Sequence, residues 1–152
     1  QLFAFTAINN NTAWSISTVT NSQYTGYVVM PDSYLGKPVT QIAANGFANQ
    51  TQLSYISIPA SVSNIGANAF DNCTSLTSVT LSNSLTSIGS SAFKGCVSLG
   101  SITIPDSVTE LGVGAFILCE NLTNVTLPNT ISSIPYGTFA ACVSLKKINI
   151  NL

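Results

Sequence analysis

Residues Ile58–Leu81 read IPASVSNIGANAFDNCTSLTSVTL, and this pattern recurs along most of the chain. Two positions repeat every 23 residues without insertion: the phenylalanines Phe47, Phe70, Phe93, Phe116 and Phe139, and the cysteines Cys73, Cys96, Cys119 and Cys142. A fixed period of this length is typical of a solenoid, in which each repeat forms one coil and equivalent side chains stack on one another. The sequence therefore predicts a solenoid over residues 27–152, with about five repeats.

The end of each repeat has the spacing of a β-strand. In Leu76-x-x-Val79-x-Leu81, the residues Val79 and Leu81 fall on one side of a strand, and Ser78 and Thr80 fall on the other. A proline follows three of these strands directly, and its missing N–H group ends the pairing. These prolines are Pro59, Pro105 and Pro128. Strands of successive coils are therefore expected to form a parallel sheet.

The middle of each repeat has helical spacing. From Val62 to Cys73, apolar residues are separated by three, four, one and three positions, and a glycine such as Gly66 opens the segment in most coils. We therefore predict a short helical or 3-10 segment on the side of the coil opposite the strand. The fold class is an α/β repeat.

Residues 1–26 do not follow the repeat. Phe3 and Phe5 alternate with small or polar residues, a turn signal of three asparagines follows at 9–11, and alternation resumes at Trp14. This pattern predicts a β-hairpin. Because an open solenoid exposes an apolar end, we interpret residues 1–26 as an N-terminal capping hairpin with Trp14 as a lid on the first coil.

The two ends of the array differ from its middle. The first coil contains a five-residue insertion around Gly36-Lys37-Pro38, and it has Ala43 and Gln50 at positions that hold glycine and cysteine in later coils. The last coil reaches Leu152 with no capping segment. We expect the natural array to continue beyond this residue or to be followed by another domain.

Composition and charge exclude several classes of function. Only 6% of the residues are charged, the four basic residues are all lysines, and the net charge is -1. A basic patch for nucleic acid is therefore missing, and no apolar run approaches the length of a membrane span. The chain has no histidine. We expect no enzymatic activity, no zinc site and no cofactor.

The acidic and cysteine side chains do not form a recognisable catalytic or metal-binding motif. The acids are few and scattered, and we expect Glu110 and Glu120 to lie in a turn and on the convex side, apart from any cleft that could perform glycoside hydrolysis. Equivalent cysteines of adjacent coils have parallel Cβ vectors, which disfavour a disulfide. We expect four reduced, buried thiols.

The motif L-x-x-V-x-L-P-x-S-V-x-x-I-G-x-x-A-F-x-x-C occurs at Leu76–Cys96, Leu99–Cys119 and Leu122–Cys142, with Ser82 in place of the proline and Pro135 in place of the glycine. It resembles the BspA-like, treponemal-class leucine-rich repeats, and the match covers about residues 27–150. The resemblance implies a right-handed leucine-rich-repeat solenoid with a parallel concave sheet. It also implies an extracellular or cell-surface adhesin that binds host matrix, plasma or other-cell proteins.

The exposed positions of the concave sheet are the candidate binding residues. Strand parity identifies them as Tyr27, Tyr55, Ser57, Ser78, Thr80, Ser101, Thr103, Asn124, Thr126, Lys147 and Asn149. Such a neutral surface, rich in hydroxyl groups, suits a protein or a neutral glycan better than a polyanion.

Three functions are compatible with the sequence. The first is a protein-binding module of an adhesin. The second is a carbohydrate-binding module in which Tyr27 and Tyr55 stack on sugar rings. The third is a structural spacer without a ligand, in which the small hydroxyl residues merely occupy exposed strand sites.

Overall fold

The computed structural model describes residues 2–152, and in this range the chain forms a solenoid of short β-strands. The strands are β1 (Phe3–Ile8), β2 (Ala13–Thr18), β3 (Gly26–Val29), β4 (Ser33–Tyr34), β5 (Lys37–Ile42), β6 (Leu53–Ser57), β7 (Asn64–Ile65), β8 (Ser78–Thr80), β9 (Ser87–Ile88), β10 (Ser101–Thr103), β11 (Glu110–Leu111), β12 (Asn124–Pro128) and β13 (Lys147–Asn151).

The longer repeat strands form the predicted parallel pairing, with one interruption. β3, β6 and β8 make one three-stranded sheet, and β10, β12 and β13 make another. Ser78 pairs with Tyr55, and Lys147 pairs with Asn124, so partners are one 23-residue repeat apart. No strand pairing joins β8 to β10 in the described residues. The single sheet expected from the sequence is therefore split into two.

A second ladder, which sequence reasoning missed, runs along another side of the solenoid. The two-residue strands β7, β9 and β11 pair in parallel with one another, and β5 and β2 continue the ladder toward the N-terminus. β1 closes it by pairing antiparallel with β2, and β4 pairs with β5. Pairs of residues such as Ser87–Ile88 are too short for the period-two signal of a strand to be recognisable.

The prediction of helical or 3-10 segments is wrong, because residues 2–152 contain no helix and the region around each phenylalanine is a series of turns. Two residues before and two after Phe70, the chain has positive φ at Asn68 (55°) and Asn72 (59°), which breaks a helix. The N–H group of Phe70 donates to the Ala92 carbonyl of the next coil at 2.7 Å. An α-helix would use that N–H within its own coil.

The phenylalanines form the predicted spine at the centre of the core. Neighbouring rings from Phe47 to Phe139 stack with centroids 5.5, 5.1, 5.3 and 5.8 Å apart. The first four are fully buried, and Phe139 in the last coil is half-buried. This continuous stack ties each coil to its two neighbours.

Aromatic residues of the N-terminal segment cover the first ring of the spine and the first coil. Phe3 and Tyr24 contact Phe47 with centroid distances of 6.2 and 6.0 Å. Trp14 packs against the core opposite Val39 of the first coil, and its Nε1 donates to the Tyr34 carbonyl oxygen at 2.7 Å. Phe3 and Tyr24 therefore cover the Phe47 ring, and Trp14 covers a neighbouring part of the first coil.

The glycine that begins the central segment allows the coils to approach closely. A Cβ atom on Gly66 or Gly89 would lie 2.6 Å from a backbone nitrogen of the preceding coil, and one on Gly112 would lie at 2.2 Å. None of these glycines has positive φ. Their role is therefore to keep the backbones in contact, not to permit a special conformation.

We predict that Phe93→Ala lowers the free energy of unfolding by roughly 3–5 kcal/mol, because a central coil held on both sides cannot collapse around the cavity. Phe139→Ala should cost less, since Phe139 is half-buried in the last coil. Urea denaturation of both variants measures the difference. Equal losses would contradict the central role of the spine.

We also predict that Gly89→Ala lowers the free energy of unfolding by roughly 1–3 kcal/mol, because the new methyl group meets the backbone of Ala67. Gly100→Ala is the matched control, since a methyl group at that position would have nothing within 4 Å. Thermal melts of the two variants test the idea. A Gly89 variant as stable as the control would show that the coils can move apart at no cost.

Candidate functional site

The outward side chains of the six longer repeat strands lie on one side of the solenoid, which we call the strand face. All eleven predicted binding residues belong to these strands: Tyr27 to β3, Tyr55 and Ser57 to β6, Ser78 and Thr80 to β8, Ser101 and Thr103 to β10, Asn124 and Thr126 to β12, and Lys147 and Asn149 to β13. None of the eleven side chains is buried. Their alternate neighbours Val28, Ile56, Ile102 and Val125 are buried, as strand parity predicts, whereas Val79 is half-buried and Ile148 in the last coil is exposed.

Two stacked tyrosines occupy the N-terminal end of the strand face. The Tyr27 and Tyr55 rings are parallel to within 11°, with centroids 4.4 Å apart, and the Tyr55 hydroxyl is 2.7 Å from Thr80 Oγ1. Partial loss of water, followed by the neighbouring Tyr55 phenol, raises the pKa of Tyr27 above its usual value. Because each ring covers one face of the other, the pair is a single platform instead of two separate sugar-stacking sites.

This end of the strand face is also the most apolar part of it. Tyr27 is 61% exposed and Val29, two residues further along β3, is 58% exposed. Large exposed side chains that lie side by side on a rigid strand are typical of contact surfaces. Beyond the tyrosines the strand face presents hydroxyl and amide groups. Of the eleven predicted binding residues, only Lys147 is charged.

None of the acidic residues is among the eleven predicted binding residues, and two of them make defined side-chain contacts. Asp71 pairs with Lys94 at 3.8 Å, and Asp106 accepts hydrogen bonds from Asn151 Nδ2 at 2.9 Å. Glu110 lies on β11 in the second ladder, and the expectation that it occupies a turn is therefore corrected. In residues 2–152 no three potential metal ligands come together, and no helix is long and apolar enough to cross a bilayer.

The four cysteines form a buried ladder beside the phenylalanine spine. Each is a free thiol, and each Sγ donates to the main-chain carbonyl of the phenylalanine one coil before: Cys73 to Phe47, Cys96 to Phe70, Cys119 to Phe93 and Cys142 to Phe116, at 3.1–3.3 Å. Burial raises the pKa of Cys73 to about 12 and that of Cys96 well above its usual value. The cysteines therefore satisfy main-chain acceptors inside the core.

Gln50 has a role that sequence reasoning missed. It occupies the cysteine position of the first coil, where it is 4% exposed. Its Oε1 accepts from the Tyr24 N–H at 2.8 Å, and its Nε2 donates to the Ser22 carbonyl at 3.0 Å. A longer side chain is needed here because the neighbour is the irregular segment before β3 instead of another coil. In the sequence, the replacement of the repeat cysteine by Gln50 was the only sign of this role.

Comparison with known families agrees with this architecture. The model of the BspA type leucine rich repeat region matches six copies over residues 40–152. The chain belongs to the BspA-type leucine-rich repeat family. The residues matched include the phenylalanine and cysteine ladders, so the family resemblance of the sequence motif is confirmed.

Solved structures share the fold over nearly the whole chain. The T. pallidum leucine-rich repeat protein TpLRR is 33% identical with a TM-score of 0.89, over 96% of this chain and 67% of that one. A leucine-rich cell surface protein from Faecalibacterium prausnitzii is 28% identical with a TM-score of 0.84, and the match covers 97% of this chain and 38% of that protein. The pneumococcal vaccine antigen PcpA is 25% identical with a TM-score of 0.79, and the match covers 91% of this chain and 33% of that protein.

This BspA-type chain therefore spans between a third and two thirds of the length of these three proteins. No curated protein sequence matches it significantly.

The buried thiols predict a loss of stability at alkaline pH. Cys73 ionises near pH 9 in the unfolded chain and near 12 in the fold, so its protonated form stabilises the fold fully below pH 9 and progressively less from pH 9 to 12. Over that window we expect the free energy of unfolding to fall by up to about 1.4 kcal/mol per pH unit for each such thiol.

Denaturant unfolding from pH 8 upward, with Cys73→Ala as the comparison, measures this slope. The variant should lose less stability per pH unit than the parent chain. Identical slopes would mean that the Cys73 thiolate is tolerated in the core.

Proposed function

We propose that this BspA-type chain is a protein-interaction module of a surface or secreted adhesin, and that its strand face contacts an extracellular protein of the host matrix, plasma or another cell. The observation that carries the proposal is the composition of that face. A rigid surface places an exposed aromatic and aliphatic patch, Tyr27 and Val29, beside a wide neutral area of hydroxyl and amide groups. Aromatic anchors surrounded by uncharged polar groups are characteristic of protein-binding surfaces.

The relatives support an extracellular location for the module. One structural neighbour is described as a cell surface protein and another as a pneumococcal vaccine antigen. The neutral strand face agrees with a protein partner that is recognised by shape and hydrogen bonds, since there is no cluster of like charges among its eleven residues to attract a polyanion.

The scattered acidic residues support binding over catalysis. Asp71 and Asp106 are engaged by Lys94 and Asn151, and Glu110 is exposed on the second ladder. A pair of carboxylates facing each other across a cleft, which hydrolytic chemistry on glycosides requires, is not formed by these three residues. We therefore propose that the module performs no chemistry.

Binding of the folded module to a panel of immobilised matrix and plasma proteins tests the proposal. Tyr27→Ala should weaken any saturable interaction by about tenfold or more, because an aromatic anchor at an interface is commonly worth above about 1–2 kcal/mol. Asn124→Lys should weaken it as well, since it places a charge in the neutral area of the face. Both side chains are exposed, so each change should lower the melting temperature only slightly, through the lost Tyr27–Tyr55 stack in one variant and the new lysine opposite Lys147 in the other.

Asn64→Lys is the matched control for the charge substitution. Asn64 is exposed on β7 in the second ladder, so the same change there should leave binding intact. If Asn64→Lys and Asn124→Lys reduce binding equally, the strand face is not the contact surface. If no protein of the panel binds, the adhesin proposal fails for this segment.

A further inference from the structure

The interruption of the sheet between β8 and β10 forms a slot in the middle of the strand face. The slot has a volume of about 300 Å³, and hydroxyl side chains from both strands line it: Ser78, Thr80, Ser101 and Thr103. In the neighbouring coils, main-chain bonds close this position, from Ile58 N–H to the Thr80 carbonyl and from Ile104 N–H to the Thr126 carbonyl. The corresponding bond between Leu81 and Thr103 is not formed in the described residues.

The slot also uncovers part of the core. Val79 and Leu81 are half-buried, whereas Ile56, Ile58 and Ile104, at equivalent positions in other coils, are buried. The same two coils remain bonded elsewhere, since β7 pairs with β9 on the second ladder, as β9 does with β11. The opening is therefore local to the strand face. It has an apolar floor, hydroxyl walls and main-chain groups in need of hydrogen-bond partners.

A single residue explains why the sheet opens here. In the coils on either side, a threonine hydroxyl clamps adjacent strands: Thr77 Oγ1 donates to the Ser54 carbonyl, and Thr123 Oγ1 donates to the Gly100 carbonyl, both at 3.0 Å. Gly100 occupies the clamp position of β10 and has no side chain to reach the Thr77 carbonyl. The Gly100 nitrogen lies 3.4 Å from the Thr77 carbonyl oxygen, which is long for a main-chain hydrogen bond.

The last coil shows that a missing hydroxyl is not sufficient by itself. Lys146 also lacks a hydroxyl, yet its N–H keeps a 3.0 Å bond to the Thr123 carbonyl and β13 pairs over five residues. Gly100 removes the clamp and adds backbone freedom at the same place. Both changes therefore coincide at the position where the sheet opens.

We propose that the slot is a binding subsite for a neutral hexose unit of a glycan. A hexose ring has a C–H face that can cover Val79 and Leu81, and hydroxyl groups that can bond to the slot walls and to the free main-chain groups. No charged side chain lines the slot, so it offers nothing to a charged ligand. An extra peptide strand does not fit, because strands need about 4.8 Å on each side and the two edges are still in contact at Gly100.

This inference goes beyond the proposed protein-binding function and does not depend on it, since free sugars test it without any protein partner. The tyrosine platform also lies on the strand face, and the Tyr55 hydroxyl contacts Thr80 at the slot wall. A glycosylated partner could therefore engage both features at once.

The decisive variant is Gly100→Thr, which supplies the missing clamp and closes the slot. The space is available, because nothing lies within 4 Å of the position of a Cβ atom at Gly100. Amide hydrogen exchange shows whether the sheet closes: the Leu81 N–H should exchange freely in the parent chain and become protected in the variant. A Leu81 amide already protected in the parent chain would overturn the proposal, because there would be no slot.

Saturation-transfer NMR with the methyl glycosides of glucose, galactose and mannose tests binding itself. We expect weak, millimolar-range binding to the parent chain, as is usual for a ligand with so few atoms. Gly100→Thr should abolish it without loss of thermal stability. Binding of no hexose to the parent chain, or undiminished binding to a closed variant, overturns the proposal.

Thr103→Val and Thr126→Val form a matched pair that needs no change in backbone structure. Thr103→Val removes a hydroxyl from the slot wall while keeping the side-chain shape, and it should weaken hexose binding roughly two- to tenfold through one lost hydrogen bond. Thr126→Val makes the same change on β12, outside the slot, and should leave hexose binding unchanged. Equal effects would show that the sugar binds elsewhere on the strand face.

Discussion

Main-chain hydrogen bonds from one coil to the next are the constraint on which this structure depends. Around each of the first four phenylalanines, alternate N–H groups donate to the following coil, as Asn68 and Phe70 donate to Ser90 and Ala92 at 2.9 and 2.7 Å. The intervening Ala69 N–H closes a turn within its own coil at 3.2 Å. Coils held at this spacing bring the phenylalanine rings into stacking distance and leave no room for a Cβ atom at Gly66, Gly89 or Gly112.

The same constraint makes the ends of the array special. A coil whose neighbour is another coil can reuse the standard phenylalanine, cysteine and glycine, because the neighbour offers its carbonyl groups at fixed places. The first coil faces an irregular segment, and Gln50 and Tyr24 supply the longer contacts that this segment requires. Departures from the repeat therefore mark the places where the neighbour changes.

The strand face combines a rigid scaffold with freely chosen side chains. Its inward residues are fixed by the core, whereas the outward ones contribute little to stability and remain available for recognition. The tyrosine pair and the slot at Gly100 are the two places where it differs from a plain hydroxyl-rich sheet. The tyrosine pair comes from two residues of adjacent coils and the slot lies beside one glycine, so an otherwise regular lattice carries individual surface features.

The sequence by itself determined the period, the phenylalanine and cysteine ladders, the N-terminal hairpin and the outward positions of the strand face, because equivalent residues of a solenoid must lie next to one another. Only the tertiary structure decided which backbone conformation the segment from Val62 to Cys73 adopts. Apolar positions three or four residues apart suit a helix and a stack of turns equally well. The choice depends on whether an N–H group bonds within its coil or to the next one, and here the Phe70 N–H bonds to the next coil.

The break between β8 and β10 also could not be predicted from the sequence. The absence of a hydroxyl group at Gly100 is informative only once the structure shows that Thr77 and Thr123 bond to the preceding coil at the equivalent position. A hydrogen bond between coils depends on the backbone positions of two repeats, whereas the sequence pattern describes each repeat by itself.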